Sequence, residues 1–207
     1  MKLIAKDLEC QRGGRHVFGG MSFEVPAGSG LLLKGPNGSG KTSLLRMIAG
    51  LGDIAAGTLE LDGLDDELTI GQRAHYVAHQ NALKTAMSVE ENLTFWARFM
   101  GVACSSVDVR EHLARFDLER LAGYSAALLS AGQRRRLALS RLELVPRPVW
   151  LLDEPSVGLD AASVELLAAA MRRHTEGGGI LLASTHTDLA LGFNDTLDLS
   201  TFAGRAA

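Results

Sequence analysis

A chain of 207 residues, 46% apolar and 22% charged, has the size and composition of one globular domain with a real core and little besides. Its formal charge of −3 gives no electrostatic reason to bind nucleic acid or an anionic lipid surface. Nothing in it approaches the roughly 20 apolar residues of a membrane helix, and the opening Met1-Lys2-Leu3-Ile4-Ala5-Lys6-Asp7 lacks the apolar run of a secretory signal. Cys10 and Cys104 fit no metal or redox spacing and are expected to be free thiols in a reducing compartment. The expectation is a soluble, cytoplasmic chain unless a partner holds it at a membrane.

The first residues read as short strands. Leu3-Ile4-Ala5 and Met21-Ser22-Phe23-Glu24-Val25 are apolar or alternating, with Gly13-Gly14, Gly19-Gly20 and Pro26-Ala27-Gly28 as turns. Leu31-Leu32-Leu33 reads as a buried strand that runs into a glycine-rich loop. Residues 42–49 then form a helix, with Leu44, Leu45 and Ile48 at helical spacing and Gly50 near its end. Thr58-Leu59-Glu60-Leu61-Asp62-Gly63 alternates like a strand entering a turn, and residues 74–78 read as another strand. Residues 88–125 differ: Glu90, Glu91, Leu93, Phe95, Trp96 and Phe99 lie in one amphipathic helical stretch. With a helix over 134–144 this predicts a helical subdomain at about 85–145 inserted into a single domain of residues 1–207. The run Arg134, Arg135 and Arg136 is expected on a solvated helix face. Strands resume at Val149-Trp150-Leu151-Leu152 and Ile180-Leu181-Leu182-Ala183, joined by a crossover helix over 163–174. Strands alternating with helices predict an α/β fold with a parallel sheet and a ligand crevice at the carboxyl ends of its strands.

Three segments carry chemistry. The spacing Gly35-x-x-x-x-Gly40-Lys41-Thr42, between a strand and a helix, is a phosphate-binding loop. Its glycines let the backbone curl so that successive N–H groups point at phosphate oxygens. The helix behind it adds about half a positive charge at its start. Lys41 is placed to reach the β- and γ-phosphates, and the Thr42 hydroxyl to meet Mg²⁺. Second, the strand Val149-Trp150-Leu151-Leu152 ends in Asp153-Glu154. Burying it puts Asp153 at the sheet's carboxyl edge, where a carboxylate holds Mg²⁺ directly or through water. Glu154 leaves the strand end on the other side, suited to polarising an attacking water as general base. Third, Leu129-Ser130-Ala131-Gly132-Gln133 precedes a helix and, taken alone, reads as a helix start with a serine cap.

Leu-Ser-x-Gly-Gln between a phosphate loop and an apolar strand ending in Asp-Glu resembles the signature of the ABC (ATP-binding cassette) ATPases, and the resemblance covers essentially the whole chain. It implies a P-loop fold with a mostly parallel core sheet, an antiparallel N-terminal β-subdomain and a helical insertion. It implies ATP and Mg²⁺ as ligands, with Gly35, Pro36, Asn37, Gly38, Ser39, Gly40, Lys41, Thr42 and Ser43 around the nucleotide and Thr42, Gln80 and Asp153 around the metal. Gln80 matches the family's Q-loop glutamine, which contacts Mg²⁺ and the attacking water and senses a membrane partner. Ser156-Val157-Gly158-Leu159-Asp160 looks like the D-loop, and His186 matches the switch histidine at the γ-phosphate. Glu154, Gln80 and His186 are thus the expected catalytic set. The resemblance also implies a head-to-tail homodimer, in which Ser130, Gly132 and Gln133 of one copy close the nucleotide of the other, and an integral membrane partner.

Within the family, the stretch Tyr76-Val77-Ala78-His79-Gln80-Asn81-Ala82-Leu83-Lys84 has His before the glutamine, where many relatives have proline, and Lys four residues after it. With Glu91-Asn92-Leu93-x-Phe95-Trp96 and the alanine in the signature, this is similar to the ATPase subunits of the haem exporters of cytochrome c maturation. That likeness implies a peripheral position on the cytoplasmic face of a bacterial inner membrane, and no contact with nucleic acid. No direct haem binding is expected: on one strand, His75 and His79 would share a face but lie roughly 13 Å apart, so they are read as strand-face and coupling-surface residues. One departure from the family stands out. No aromatic lies near Arg12, where relatives often stack adenine, which leaves Arg12 or His16 as the stacking side chain or base recognition weak. Other readings of the motifs are the ATPase of another exporter, a soluble cassette ATPase of translation, DNA repair or chromosome structure, and a nucleotide-binding module without turnover. The soluble cassette ATPases usually carry two cassettes or a long coiled-coil insertion, neither of which is present.

Overall fold

The computed structural model describes residues 1–64, 67–185 and 193–203. The chain starts with a long hairpin, β1 (Lys2–Arg12) and β2 (Arg15–Pro26). Its two-residue turn is Gly13-Gly14, with φ of +56° and +74°, the doubly positive geometry that matches the twist of the flanking strands. In β1, Leu3 and Ala5 face the core, the register shifts between Ala5 and Leu8, and Leu8 and Cys10 then face the core again. This bulge restores the inward face by a one-residue slip. A matching irregularity in β2 absorbs Gly19-Gly20 into the strand, where a turn was expected; the two strands are accordingly far longer than the short runs read from sequence. β4 (Ala56–Asp62) pairs with the other edge of β1, completing an antiparallel sheet in the order β2-β1-β4.

The second sheet is parallel throughout. It contains β3 (Gly30–Lys34), β5 (Ala74–Val77), β6 (Val149–Asp153), β7 (Ile180–Ser184) and β8 (Asp195–Asp198), in the order β5-β6-β7-β3-β8. Every residue of β6 and β7 is buried, which explains their unbroken apolar runs. β8 escaped sequence reading because Asp195-Thr196-Leu197-Asp198 is a polar edge strand with one apolar residue. β5 ends at Val77, one residue short of the expected strand. Leu3, Phe18, Leu33, Leu151 and Leu182 from the two sheets join Leu44, Leu45 and Ile48 of α1 (Lys41–Ile48) in one apolar cluster.

The chain divides into two compact units: Met1–Ala78 with Arg147–Pro155 and Arg172–Ala207, and His79–Pro146 with Ser156–Met171. The first holds both sheets and α1. The second is helical: α2 (Val89–Phe99), α3 (Ser106–Arg115) and α4 (Ala131–Leu144) pack on one another around Leu93, Val109, Leu113, Phe116 and Leu137. α5 (Ala161–Glu176) spans the expected crossover segment and extends two residues past it at each end.

The arginine run is not a solvated face. Arg135 is 4% exposed and donates from Nη1 to Asn81 Oδ1 at 3.2 Å, and Arg136 Nη1 donates to Phe116 O and Asp117 Oδ2, both at 2.9 Å. Further along, the guanidinium of Arg141 lies 4.8 Å from the Trp96 ring centre, and Trp96 Nε1 donates to Ala82 O at 3.2 Å. Burial, with Arg135 nearby, lowers the Arg141 pKa to about 10, so it stays charged near neutral pH. The arginines of α4 fasten the turns around them, a role that local sequence reading cannot distinguish from solvation. Cys10 and Cys104 are free thiols. Among the described residues, no helix is long and apolar enough to cross a membrane.

Candidate functional site

A cavity of about 390 Å³ in the first unit is lined by Asn37, Gly38, Gly40, Lys41, Thr42, Ser43, Asp153 and Glu154, together with Arg12 and Val17 of the hairpin. The glycine loop leaves β3 at its carboxyl end and enters α1. Gly40 is the residue before the helix, with φ of +102°. A Cβ there would lie 2.8 Å from Phe18 Cδ1 and 2.9 Å from Val17 Cγ1, so glycine answers both the left-handed backbone and the close approach of β2. No side chain caps α1, and the N–H groups of its first turn face the cavity with the positive end of the helix dipole behind them. Lys41, 8% exposed, folds across the loop: Nζ donates to Gly35 O at 2.7 Å and to Pro36 O at 3.1 Å. Among the described residues, the buried Ser39 Oγ has no hydrogen-bond partner.

At the other end of the cavity Asp153 is buried at the tip of β6. Thr42 Oγ1 donates to its Oδ2 at 2.8 Å, and Ser184 Oγ donates to its Oδ1 at 2.7 Å. Ser184 was missed in sequence because it closes an apolar run and reads as a strand end. It also accepts from the Glu154 N–H, at 3.0 Å on its carbonyl and 3.2 Å on Oγ. Glu154 has φ of +47°, a left-handed backbone rare for a side chain with Cβ, so the chain turns sharply between the two carboxylates. Tyr76 stands close enough for its phenol pKa to be raised, by burial first and by the Asp153 charge second.

The other expected site residues lie in the second unit or outside the described residues. Gln80 and His79 are exposed and follow the end of β5. His75 is 1% exposed, a core strand residue and not part of a coupling surface. Because β5 stops at Val77, His79 is not on that strand, and the separation expected for two residues of one strand does not apply; among the described residues no group of three or more His, Cys, Asp or Glu is placed to hold a metal ion. Ser130 and Gln133 close the start of α4 on each other: Ser130 Oγ accepts from Gln133 N at 3.2 Å, and Gln133 Oε1 accepts from Ser130 N at 2.9 Å. Gly132 sits in the first turn of that helix. In the Ser156–Asp160 stretch, Leu159 N donates to Ser156 O at 3.1 Å, and Asp160 Oδ1 accepts from Ser163 N at 2.8 Å. Bonds from the Ser163 hydroxyl and N–H hold the Asp160 carboxyl below its usual pKa. His186 lies outside the described residues.

Comparison with known proteins places this architecture. Residues 18–157 match the family model described as ABC transporter. The chain is 50% identical over 191 residues to the cytochrome c biogenesis ATP-binding export protein CcmA of Bradyrhizobium diazoefficiens, covering 92% of this chain and 94% of the relative. It is 51% identical over 193 residues to the protein of the same name from Nitrobacter hamburgensis, covering 92% and 95%. Among solved structures, an ABC transporter-type ATP-binding protein from Pyrococcus furiosus shares the fold, with a TM-score of 0.86 at 23% identity over 98% of this chain and all (100%) of that one. With the glycine loop, the Asp153-Glu154 strand end and the signature turn all in place, the chain belongs to the ABC transporter family and, within it, to the group of cytochrome c biogenesis ATP-binding export proteins CcmA.

Proposed function

We propose that the chain is the ATP-hydrolysing subunit of an ABC complex that serves haem-linked cytochrome c biogenesis. The observation that carries the chemistry is the single cavity joining an uncapped helix start, Lys41, Thr42, Asp153 and Glu154. The loop N–H groups and Lys41 bind the triphosphate; Lys41 Nζ trades its bonds to the Gly35 and Pro36 carbonyls for phosphate oxygens. Thr42 Oγ1 and Asp153 Oδ2, 2.8 Å apart, are the hard oxygen donors Mg²⁺ prefers, and Gln80 is assigned to the same ion. Held by these residues, the ion would supply positive charge against the triphosphate. Glu154 takes the proton from the attacking water, and Gln80 and His186 orient that water.

Ser130, Gly132 and Gln133 at the start of α4 are assigned to the nucleotide of a second copy, so that two ATP molecules join a head-to-tail homodimer. Cleavage of the β–γ bond followed by departure of the phosphate removes the charge the two copies share and opens the dimer, and that motion drives an integral membrane partner. The chain sits on the cytoplasmic face of a bacterial inner membrane through that partner. It binds no nucleic acid, and no contact with haem is needed. The test has two arms. Purified chain should release phosphate from ATP in a Mg²⁺-dependent way. Deletion should abolish c-type cytochromes, with cytochrome c maturation proteins recovered alongside the chain from membrane extracts. Absence of phosphate release refutes the enzymatic reading, and intact c-type cytochromes refute the biogenesis role.

A further inference from the structure

Ser184 ends a strand that is otherwise Ile180-Leu181-Leu182-Ala183, and it is 0% exposed. A hydroxyl in such a place costs stability unless it is hydrogen-bonded. Ser140 of α4, equally buried, meets that demand inside its own helix by donating from Oγ to Leu137 O at 2.9 Å. Ser184 meets it across the sheet. β6 and β7 run parallel with Asp153 opposite Ser184, so two residues 31 positions apart in the chain end their strands side by side. Ser184 Oγ donates to Asp153 Oδ1 at 2.7 Å, a length typical of bonds to a charged oxygen.

The two acidic residues of the cavity depend on Ser184 in different ways. The terminal torsion of an aspartate side chain is broad, so a carboxylate held at one oxygen remains free to turn. Here bonds at both oxygens, from Ser184 at Oδ1 and from Thr42 at Oδ2, fix it. Glu154, the next residue, turns away with φ of +47° and rests its N–H on Ser184, 3.0 Å from the carbonyl and 3.2 Å from Oγ. The Ser184 hydroxyl thus accepts from the backbone of one acidic residue while donating to the side chain of the other, and hydrogen bonds in series strengthen one another.

We propose that Ser184 is a positioning residue of the hydrolytic site: its hydroxyl sets the Asp153 carboxylate so that Oδ2 stands beside the Thr42 hydroxyl, the two oxygens offered to the divalent ion. This rests on the nucleotide-hydrolase reading above. Ser184 acts only through Asp153. Ser184→Ala leaves the strand pairing and the carbonyl bond to Glu154 N in place and frees the carboxylate to turn, so the loss falls on metal affinity before it falls on the fold.

The test titrates Mn²⁺ into the full chain carrying a non-hydrolysable ATP analogue, with the free ion read from its paramagnetic resonance signal. Ser184→Ala should weaken Mn²⁺ binding by about tenfold, the low end of the usual cost of removing a group that orients a metal-holding residue. Its affinity for the analogue in the presence of a chelator should match the parent chain's. Ser140→Ala removes an equally buried hydroxyl in the second unit and should leave Mn²⁺ binding unchanged. Ser184→Thr restores the hydroxyl and should bind Mn²⁺ as the parent chain does; the two alanine variants decide the matter even where the extra methyl overpacks the strand end. A Ser184→Ala chain that binds Mn²⁺ like the parent, or one weakened no more than Ser140→Ala, overturns the inference and leaves the hydrolase reading intact. Asp153→Ala should bind Mn²⁺ most weakly of the set, and parent-like binding in that variant overturns the metal role of Asp153 together with the inference.

Discussion

The two units begin their helices in opposite ways. In the second unit α2, α3 and α4 each start with a reciprocal box: Ser88 with Glu91, Ser105 with Asp108, and Ser130 with Gln133. Each serine accepts from the backbone N–H three residues on, and the third side chain returns the bond, which satisfies N–H groups a helix start leaves open. In the first unit α1 starts at Gly40 with no side-chain cap and no acidic residue in its first turn. A cap is typically worth about 1 kcal/mol, so α1 forgoes stabilisation its three counterparts possess and keeps an anion site in return. Buried charge is divided in a parallel way. The first unit buries Lys41 and Asp153 against the cavity, whereas the second buries Arg135 and Arg141 as fasteners of its own turns.

Substitutions at the cavity probe this contrast most severely. Glu154→Gln should lower ATP hydrolysis by roughly 10²–10⁴-fold, the usual contribution of a general base, while ATP binding at the open helix start persists. Phosphate release and a binding isotherm on the same preparation check both halves, and unchanged turnover removes Glu154 from its role. Lys41→Ala should weaken ATP binding by about 10- to 100-fold, the worth of charge-assisted hydrogen bonds of roughly 1.5–3 kcal/mol. The fold should survive, since Lys41 gives up only two bonds to its own loop carbonyls. Normal affinity in that variant would mean the uncapped helix and loop N–H groups hold the phosphates unaided.

The same contrast explains what was legible in sequence. The phosphate loop and the strand ending in Asp153-Glu154 are local patterns: glycine positions, an apolar run and a fixed spacing suffice to read them. The parallel sheet follows from Leu31-Leu32-Leu33, Val149-Trp150-Leu151-Leu152 and Ile180-Leu181-Leu182-Ala183, because strands buried on both faces must be continuously apolar. β8 is an edge strand with charged residues and carries no such signal. Ser184 becomes a partner of Asp153 only through the pairing of β6 with β7, a contact between residues 31 positions apart. Arg135 and Arg141 look like surface charges until the folded helix brings Asn81 and Trp96 to them.

A half-buried imidazole in the first unit offers a pH test of how each unit treats its polar groups. The His174 ring stacks on Trp150 at 4.0 Å, and its Nε2 lies 3.1 Å from Ile180 O. Burial lowers its pKa from 6.5 to about 4. The unfolded chain therefore takes up a proton as pH falls below 6.5, while the folded chain refuses it until about pH 4. The sign is a loss of stability on acidification, of about 2 kcal/mol at pH 5 relative to pH 7 for this group. His174→Phe keeps a stacking ring and removes the titration, so its denaturation midpoint should fall less than the parent's between those two pH values. Equal falls would mean that His174 does not stay neutral in the fold.

The smallest effect separates the two tasks of Ser130. Its hydroxyl caps α4 at 3.2 Å from Gln133 N, yet the proposed dimer needs the same hydroxyl at the γ-phosphate of a second copy. Ser130→Ala removes both and should cost about 1 kcal/mol of stability, along with weaker ATP-dependent dimerisation. Ser130→Asp distinguishes them, because aspartate caps a helix as well as serine but sets a negative charge against phosphate. Its stability should match the parent chain, and its ATP-dependent dimerisation, measured by sedimentation or light scattering, should be lost. A Ser130→Asp chain that dimerises normally would confine Ser130 to the cap and leave α4 as closed as α2 and α3.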